Sequence, residues 1–108
     1  MRPIDVAAVM IVCLSAPAAA QDTATLERRG DALLSRHCSM CHATGRADGS
    51  PHAQAPPFRT LSKRYPIEAL EEALAEGLLT GHPDMPEFRF SLGDVGAILA
   101  YLNAIQEK

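Results

Sequence analysis

Cys38-Ser39-Met40-Cys41-His42 places two cysteines three positions apart and a histidine directly after the second one. C-x-x-C-H is the pattern by which a haem is attached covalently to a polypeptide. Two thiols add across the two vinyl groups of one porphyrin edge, so they must lie close together on a tight turn. The adjacent histidine is then held over the iron as its proximal ligand. The sequence therefore predicts one haem c, bound by Cys38, Cys41 and His42.

A cysteine pair at this spacing also occurs in thioredoxin-like redox sites and as half of a zinc site. A thioredoxin-like site should lie near a β-α-β pattern, which this sequence lacks. A zinc site needs further ligands, yet no cysteine follows Cys41, and only His42, His52 and His82 lie downstream. Haem attachment is the interpretation that the sequence favours.

The first twenty residues have the organisation of a secretory signal peptide. An apolar stretch at 6–14 leads to Ala18-Ala19-Ala20, which forms an A-x-A cleavage site. An uncleaved anchor would need roughly 20 apolar residues, and Pro17 interrupts this shorter stretch. We expect residues 1–20 to be removed and residues 21–108 to form one periplasmic domain.

Composition narrows the class of protein further. The chain has 108 residues and a formal net charge of −3, which lacks the positive footprint of a nucleic-acid-binding protein. No later apolar run is long enough to span a bilayer, so the mature chain is predicted to be soluble. A domain this small, without tryptophan, fills its own core poorly, and a cofactor is expected to stabilise it.

Hydrophobic periodicity predicts three helices and no strand, and therefore an all-α domain. Long segments at 43–65 and 81–90 contain glycines and prolines without periodicity and are predicted to be loops. The first helix is expected from about Thr23 to Cys38. Its positions at helical spacing are Leu26, Gly30, Leu33, Leu34 and His37.

The second helix is expected to begin with Pro66 as its first residue and to end at Gly77 or Gly81. Its predicted apolar face consists of Ile67, Leu70, Leu74 and Leu78. The third helix is expected to follow Ser91 as its N-cap, with Asp94 three residues later in a capping-box pattern. Its predicted apolar stripe consists of Leu92, Val95, Ile98, Leu102 and Ile105.

The haem iron needs a second axial ligand from elsewhere in the chain. Met85 lies in Gly81-His82-Pro83-Asp84-Met85-Pro86, a proline-bracketed loop that loses little entropy when its thioether binds iron. Met40 lies inside the attachment turn and cannot reach the opposite haem face. Met85 is therefore the predicted ligand, as Met/His ligation is usual in cytochromes c, and His82 stays open as the alternative. His37 is expected to pack or to be solvated instead, and His52, in a loop rich in proline and glycine, is expected to be exposed.

With these residues in place, the stretch 23–106 resembles a class I cytochrome c of the small bacterial monohaem type. Members of this family cross their first and last helices closely. Gly30 and Leu34 match the glycine and the apolar residue of the first helix, while Ile98 and Tyr101 match their partners on the last. Glycine lets the backbones approach and tyrosine fills the crossing. The resemblance implies a cytochrome c-like fold whose three main helices and long loops wrap one haem.

The resemblance also implies a proline carbonyl that accepts the Nδ1–H of His42, which would fix the tautomer of the ring. Pro57 is the expected residue, and Pro56 is the alternative. The implied function is one-electron transfer by a monomer that is not an enzyme. Its partners would be a donor dehydrogenase or cytochrome complex and an acceptor oxidase or reductase. A haem enzyme subunit or gas sensor with a labile sixth ligand is the alternative.

Two further sets of residues are candidates by chemistry alone. The haem propionates could be bound by Arg59, Lys63, Arg64 or Tyr65. A basic docking patch near the haem edge could be formed by Arg28, Arg29, Arg36 and Arg46. Ordinary solvated surface is the alternative for both sets.

Overall fold

The computed structural model describes residues 1–15, 18–77 and 83–108, with only the backbone given for residues 18–21. In chain order, its helices are α1 (Ala18–His37), the 3₁₀ helices η1 (Phe58–Lys63) and η2 (Ile67–Leu70), α2 (Glu71–Glu76) and α3 (Leu92–Ile105). The described part of the chain contains no strand. The predicted all-α class is confirmed.

The first helix is longer at its start than the sequence predicts, since α1 begins at Ala18 rather than near Thr23. Leu34 is buried at 3% exposure, as expected of a residue on the inner face. Leu26 was expected on that same face but is exposed. The prediction for Leu26 is wrong because the close contact with α3 is made further along the helix, around Gly30 and Leu34.

α1 and α3 form the most extensive helix contact in the fold. A Cβ atom on Gly30 would collide with the backbone carbonyl of Ala97 and would lie 2.7 Å from the Cβ of Tyr101. The Arg29 guanidinium also pairs with the carboxylate of Asp94 on α3. The predicted crossing of these two helices is confirmed, and only a residue without a side chain fits at position 30.

The second predicted helix is divided into η2 and α2. Pro66 has a ψ of 139°, so it precedes η2 as its N-cap instead of forming the first helical residue. Gly77 ends α2 with a φ of 119°, which side chains rarely allow, and its N–H donates to the carbonyl of Ala73. Gly81 and Leu78, also named for this helix, lie outside the described residues.

The third helix begins as predicted, because the Asp94 N–H donates to the Ser91 hydroxyl oxygen at 3.2 Å. Leu92 is 78% exposed, however, so its predicted place in the apolar stripe is wrong. As the first residue of α3, it precedes the turns that meet the rest of the protein. The buried residues of this helix are Val95, Ala97, Ile98, Leu102 and Ile105.

The hydrophobic core joins α1, both 3₁₀ helices, α2 and α3. It consists of Leu34, Phe58, Leu61, Ile67, Leu74, Val95, Ile98, Leu102 and Ile105. Most of these side chains also line a large cavity, so the core surrounds a space that the chain itself does not fill. No helix in the described ranges has the length and apolar character needed to cross a bilayer.

Candidate functional site

The attachment sequence forms a tight turn directly after α1. The N–H groups of Cys41 and His42 both donate to the carbonyl of Cys38, at 3.2 and 2.9 Å. The N–H of Cys38 in turn donates to the carbonyl of Leu34 at 2.8 Å, so the turn continues from the helix. Both thiols are free and partly buried. Two thiols and one imidazole therefore leave the backbone from a single turn.

The chemistry of the thiols does not suit a dithiol redox site. Burial, and secondarily the neighbouring Cys41, raises the pKa of the Cys38 thiol to about 11. Redox-active cysteine pairs depend on a lowered thiol pKa, which supplies the attacking thiolate. Among the described residues, no group of three His, Cys, Asp or Glu side chains could hold a metal ion, so a zinc site is unsupported there as well.

The imidazole of His42 is oriented by a backbone carbonyl. Its Nδ1 lies 2.8 Å from the carbonyl oxygen of Pro56, and it donates a hydrogen bond there in the tautomer that leaves Nε2 without a proton. The expectation of Pro57 is wrong, and its alternative is correct. The Pro57 carbonyl is engaged at the start of η1, where it accepts from the N–H and the hydroxyl of Thr60, at 3.0 and 2.8 Å.

A phenylalanine covers one face of the same imidazole. The rings of His42 and Phe58 are stacked, with 4.5 Å between their centroids and 26° between their planes. The N–H of Phe58 also donates to the carbonyl of Ala43, which directly follows the histidine. A role for Phe58 was not predicted from the sequence, in which the only signal is its position immediately after the proline pair.

The attachment turn and Phe58 line a cavity of about 700 Å³. This volume is within the range of roughly 300–1,000 Å³ typical of cofactor sites. Its wall is mainly apolar and includes Leu34, Leu61, Leu70, Leu74, Ile98 and Leu102. Cys38, Cys41, His42 and Met85 all line it. The structure thus brings the attachment residues and the predicted sixth ligand together at one cavity.

The segment with Met85 is linked to the attachment turn through His52. The Nε2 atom of His52 lies 3.5 Å from a carboxylate oxygen of Asp84, the residue before Met85. The N–H of His52 donates to the carbonyl of Cys41 at 3.1 Å. His52 is half-buried and lines the cavity, so the expectation that it is exposed is wrong. His82, the alternative ligand, lies outside the described residues.

Aromatic side chains border the cavity near the end of α1. The His37 ring lies 5.8 Å from the ring of Phe88 and 5.6 Å from that of Phe90, in tilted and edge-on arrangements. His37 is therefore packed against neighbours, one of the two roles expected for it, although it stays exposed overall. Met40 is 89% exposed at the cavity rim.

The four propionate candidates divide into two pairs. Arg64 and Tyr65 line the cavity. Arg59 and Lys63 instead bind the carboxylate of Glu107, at 3.1 and 2.9 Å. The Lys63 ammonium, more than the Arg59 guanidinium, holds the pKa of Glu107 below its ordinary value. Only the first pair lies at the cavity, whereas the second pair fastens the C-terminal residues.

Two members of the predicted basic patch are engaged within the protein. Arg29 is paired with Asp94, and Arg46 donates to the backbone carbonyl of Ala104 at 3.1 Å. Arg28 donates to the Thr25 hydroxyl at 3.2 Å and lines a shallow groove with Asp31 and Arg46. These contacts favour the alternative of ordinary surface over a basic docking patch.

The donor groups around the cavity fit a haem. Two thiols on one turn match the two vinyl groups of a porphyrin edge, and the apolar wall suits the ring. Because Nδ1 of His42 is bonded to Pro56, Nε2 is the nitrogen left for iron. The thioether of Met85 lines the same space. An all-α fold around such a cavity, with a C-x-x-C-H turn at its edge, is typical of the c-type cytochromes.

Comparison with known families agrees with this class. Residues 25–102 match the family model described as "Cytochrome C oxidase, cbb3-type, subunit III". This match spans most of the chain, and the chain belongs to this family of c-type cytochrome domains, which bind haem and transfer electrons. No curated protein and no solved structure matches the chain significantly. The predicted resemblance is confirmed at the level of a c-type cytochrome.

Proposed function

We propose that this protein is a periplasmic monohaem cytochrome c that carries single electrons, with His42 and Met85 as the axial ligands of its iron. The observation that carries the proposal is the convergence of Cys38, Cys41, His42 and Met85 on one apolar cavity. A haem bound there supplies a one-electron iron couple. With both axial positions taken by side chains, no site is left open for a substrate.

The chain's own residues determine how well the site carries electrons. The bond from His42 to the Pro56 carbonyl holds the imidazole in one tautomer and makes its Nε2 a stronger donor. The apolar wall excludes water, and the soft thioether of Met85 favours the reduced iron. Arg64 and Tyr65 are the residues we propose for the propionates, since both line the cavity.

The visible spectrum of the haem-loaded protein tests the ligand assignment. The ferric form is expected to show the weak iron–sulfur charge-transfer band. Met85→Ala should abolish this band, while Met40→Ala, at the exposed methionine of the attachment turn, should leave it intact. A band that survives Met85→Ala contradicts the assignment. A spectrum without the band that changes in His82→Ala would instead identify the histidine as the ligand.

Carbon monoxide distinguishes the carrier from the enzyme or sensor alternative. A six-coordinate carrier should bind carbon monoxide slowly or not at all when reduced. Rapid binding by the unmodified protein would show an open or labile sixth position and favour a haem enzyme or a gas sensor. Met85→Ala serves as the positive control, because removal of the ligand should open this position.

Export is part of the proposal and rests on the pattern of residues 1–20. Removal of this segment should give a mature protein that begins at Gln21, which the mass of the periplasmic protein would show. The intact mass, or recovery from the membrane fraction, would contradict cleavage. The expected cleavage point lies within the first turn of α1, so α1 would be three residues shorter in the mature chain.

A second candidate role is that of a subunit dedicated to one oxidase complex. The observation that favours this role is the family description, which names an oxidase subunit. It shares the haem chemistry with the free carrier but differs in its assembly. Gentle extraction from the source cells should recover the carrier as a monomer. Stable recovery in a large haem-containing complex would favour the subunit role.

A further inference from the structure

One side chain after α3 holds the 3₁₀ helix η1 in place. The Nε2 of Gln106 donates to the carbonyls of Phe58 and Leu102, at 2.7 and 2.8 Å. Its Oε1 accepts from the N–H of Ser62 at 2.8 Å. A single amide therefore bonds to residues near both ends of η1 and to the last turn of α3.

The neighbouring residue extends this connection. The N–H of Glu107 donates to the backbone carbonyl of Arg59 at 2.8 Å, and its carboxylate binds the Arg59 and Lys63 side chains. Arg59 also donates to the carbonyl of Asp48 at 2.6 Å. We call residues 106–107 the C-terminal clamp. It fastens the whole of η1 to the end of α3.

The clamp acts on the residue that covers the haem histidine. Phe58 is bonded on both sides of its backbone, through its N–H to Ala43 and through its carbonyl to Gln106. Phe58 is 8% exposed, and its ring is stacked on that of His42. Because both backbone groups are bonded, the Cα–Cβ bond that carries the ring is held beside His42, and the stacked position of the ring depends on these two hydrogen bonds.

Two contacts then restrict rotation of the imidazole about the axis through Nε2. The bond to Pro56 fixes the direction of Nδ1, and the Phe58 ring lies against the imidazole face. A rotation would lengthen the first contact and drive a ring edge into the second. Neighbours that orient a metal-bound histidine in this way tune the metal, since they set how ligand and metal orbitals overlap.

We propose that Gln106 is a positioning residue for the axial histidine. Through the backbone of Phe58, it holds the stacked ring that sets the plane of the His42 imidazole at the iron. This inference rests on the proposed function, because it concerns a haem bound by His42. It assigns to the C-terminal clamp a role at the iron as well as in stability.

The test uses the complete, haem-loaded protein and the hyperfine-shifted haem methyl signals in the proton NMR spectrum of its ferric form. The spread of these signals reports the orientation of the axial ligand planes. Gln106→Glu keeps an acceptor for the Ser62 N–H but removes the donor to Phe58. Asn103→Ala is the matched control, since it removes a hydrogen bond from α3 to Glu68, away from η1.

We expect Phe58→Leu to change the methyl spread, Gln106→Glu to change it in the same direction by less, and Asn103→Ala to leave it unchanged. In the Phe58→Leu background, Gln106→Glu should add little, because its effect passes through the ring. A wild-type methyl pattern in Gln106→Glu, with haem attached, overturns the inference.

Phe58→Leu keeps the test decisive if Gln106→Glu does not mature. This substitution leaves the bond from Gln106 in place, because that bond is made to the backbone carbonyl. Unchanged methyl signals in Phe58→Leu overturn the stacking step and the inference with it. Absence of covalent haem from the unmodified protein would instead refute the proposed function, so the two failures are distinguishable.

Discussion

The backbone of Gly30 lies directly against the carbonyl of Ala97, with no space between them for a methyl group. The close approach brings α1 and α3 together beside the cavity. Leu34, one turn after Gly30, and Ile98, directly after Ala97, both line that space. The identity of residue 30 is therefore coupled to the position of the cavity wall.

Gly30→Ala should destabilise the haem-loaded protein by about 3 kcal/mol, the upper end of the usual cost of overpacking. The cost is high because the obstructing atoms belong to the backbone of Ala97, which cannot rotate away. Guanidinium-induced unfolding followed by circular dichroism measures the loss.

Gly96→Ala is the matched control, because position 96 lies on α3 and has open space around it. This substitution should stabilise the protein by roughly 0.5–1 kcal/mol through improved helix propensity. Equal effects of the two substitutions would show that helix propensity, and not the crossing, determines the response.

Gly77→Ala should also destabilise, but through the backbone. The φ of 119° at the end of α2 is unfavourable for a residue with a side chain, and a Cβ there would lie 3.1 Å from the carboxyl carbon of Glu87. We expect a loss of about 1–2 kcal/mol from the free energy of unfolding. Gly49→Ala, at a position without a near neighbour, should change it little; a similar loss there would contradict this explanation.

Tyr101→Phe removes the hydrogen bond that the hydroxyl donates to the Thr44 carbonyl at 2.5 Å, and should cost about 1 kcal/mol at neutral pH. Burial, followed by the nearby Asp31, raises the pKa of Tyr101 above its ordinary value of 10.0. A raised pKa in the folded state favours the protonated form there.

The tyrosine's contribution is therefore complete below the unfolded pKa and is lost as the pH rises through the folded pKa. The difference in unfolding free energy between wild type and Tyr101→Phe should stay constant up to about pH 10 and shrink above it. Urea unfolding on both sides of that pH measures this difference. A constant difference throughout would contradict the shift.

Glu107→Gln should weaken the protein in a manner that depends on pH and salt. The hydrogen bond and charge of Lys63 lower the pKa of Glu107, so its contribution is present above the unfolded pKa of about 4.5 and is lost as the pH falls through the folded value. The stability difference from wild type should vanish in acid and shrink in high salt. Glu72→Gln, at an exposed carboxylate of α2, is the control; an equal response there would show a general charge effect.

The parts of the fold that sequence could predict are those specified by local chemistry. The attachment turn needs only the C-x-x-C-H spacing, and the start of α3 needs only Ser91 with Asp94 three residues later. The crossing at Gly30 was predicted from the resemblance to class I cytochromes c, in which a glycine of the first helix lets the two backbones approach.

The details that sequence missed depend on the direction of a backbone group or on a distant partner. Pro56 and Pro57 are chemically alike, and they differ here because Thr60 binds the carbonyl of the second. Arg59 was one of four candidates for a propionate, but the carboxylate nearest to its guanidinium is that of Glu107, 48 positions away. No local sequence pattern shows whether a guanidinium will bind a haem propionate or a carboxylate side chain such as that of Glu107.

The pairing of Arg29 with Asp94 joins residues 65 positions apart, and this separation fixes an order of events during synthesis. At about 5–20 residues per second, the ribosome adds Asp94 roughly 3 to 13 seconds after Arg29. Throughout that interval α1 cannot form its contact with α3, because α3 has not yet been synthesised. The turn with Cys38 and Cys41 is synthesised early in the same interval. Both thiols are therefore present well before α3 can pack against α1.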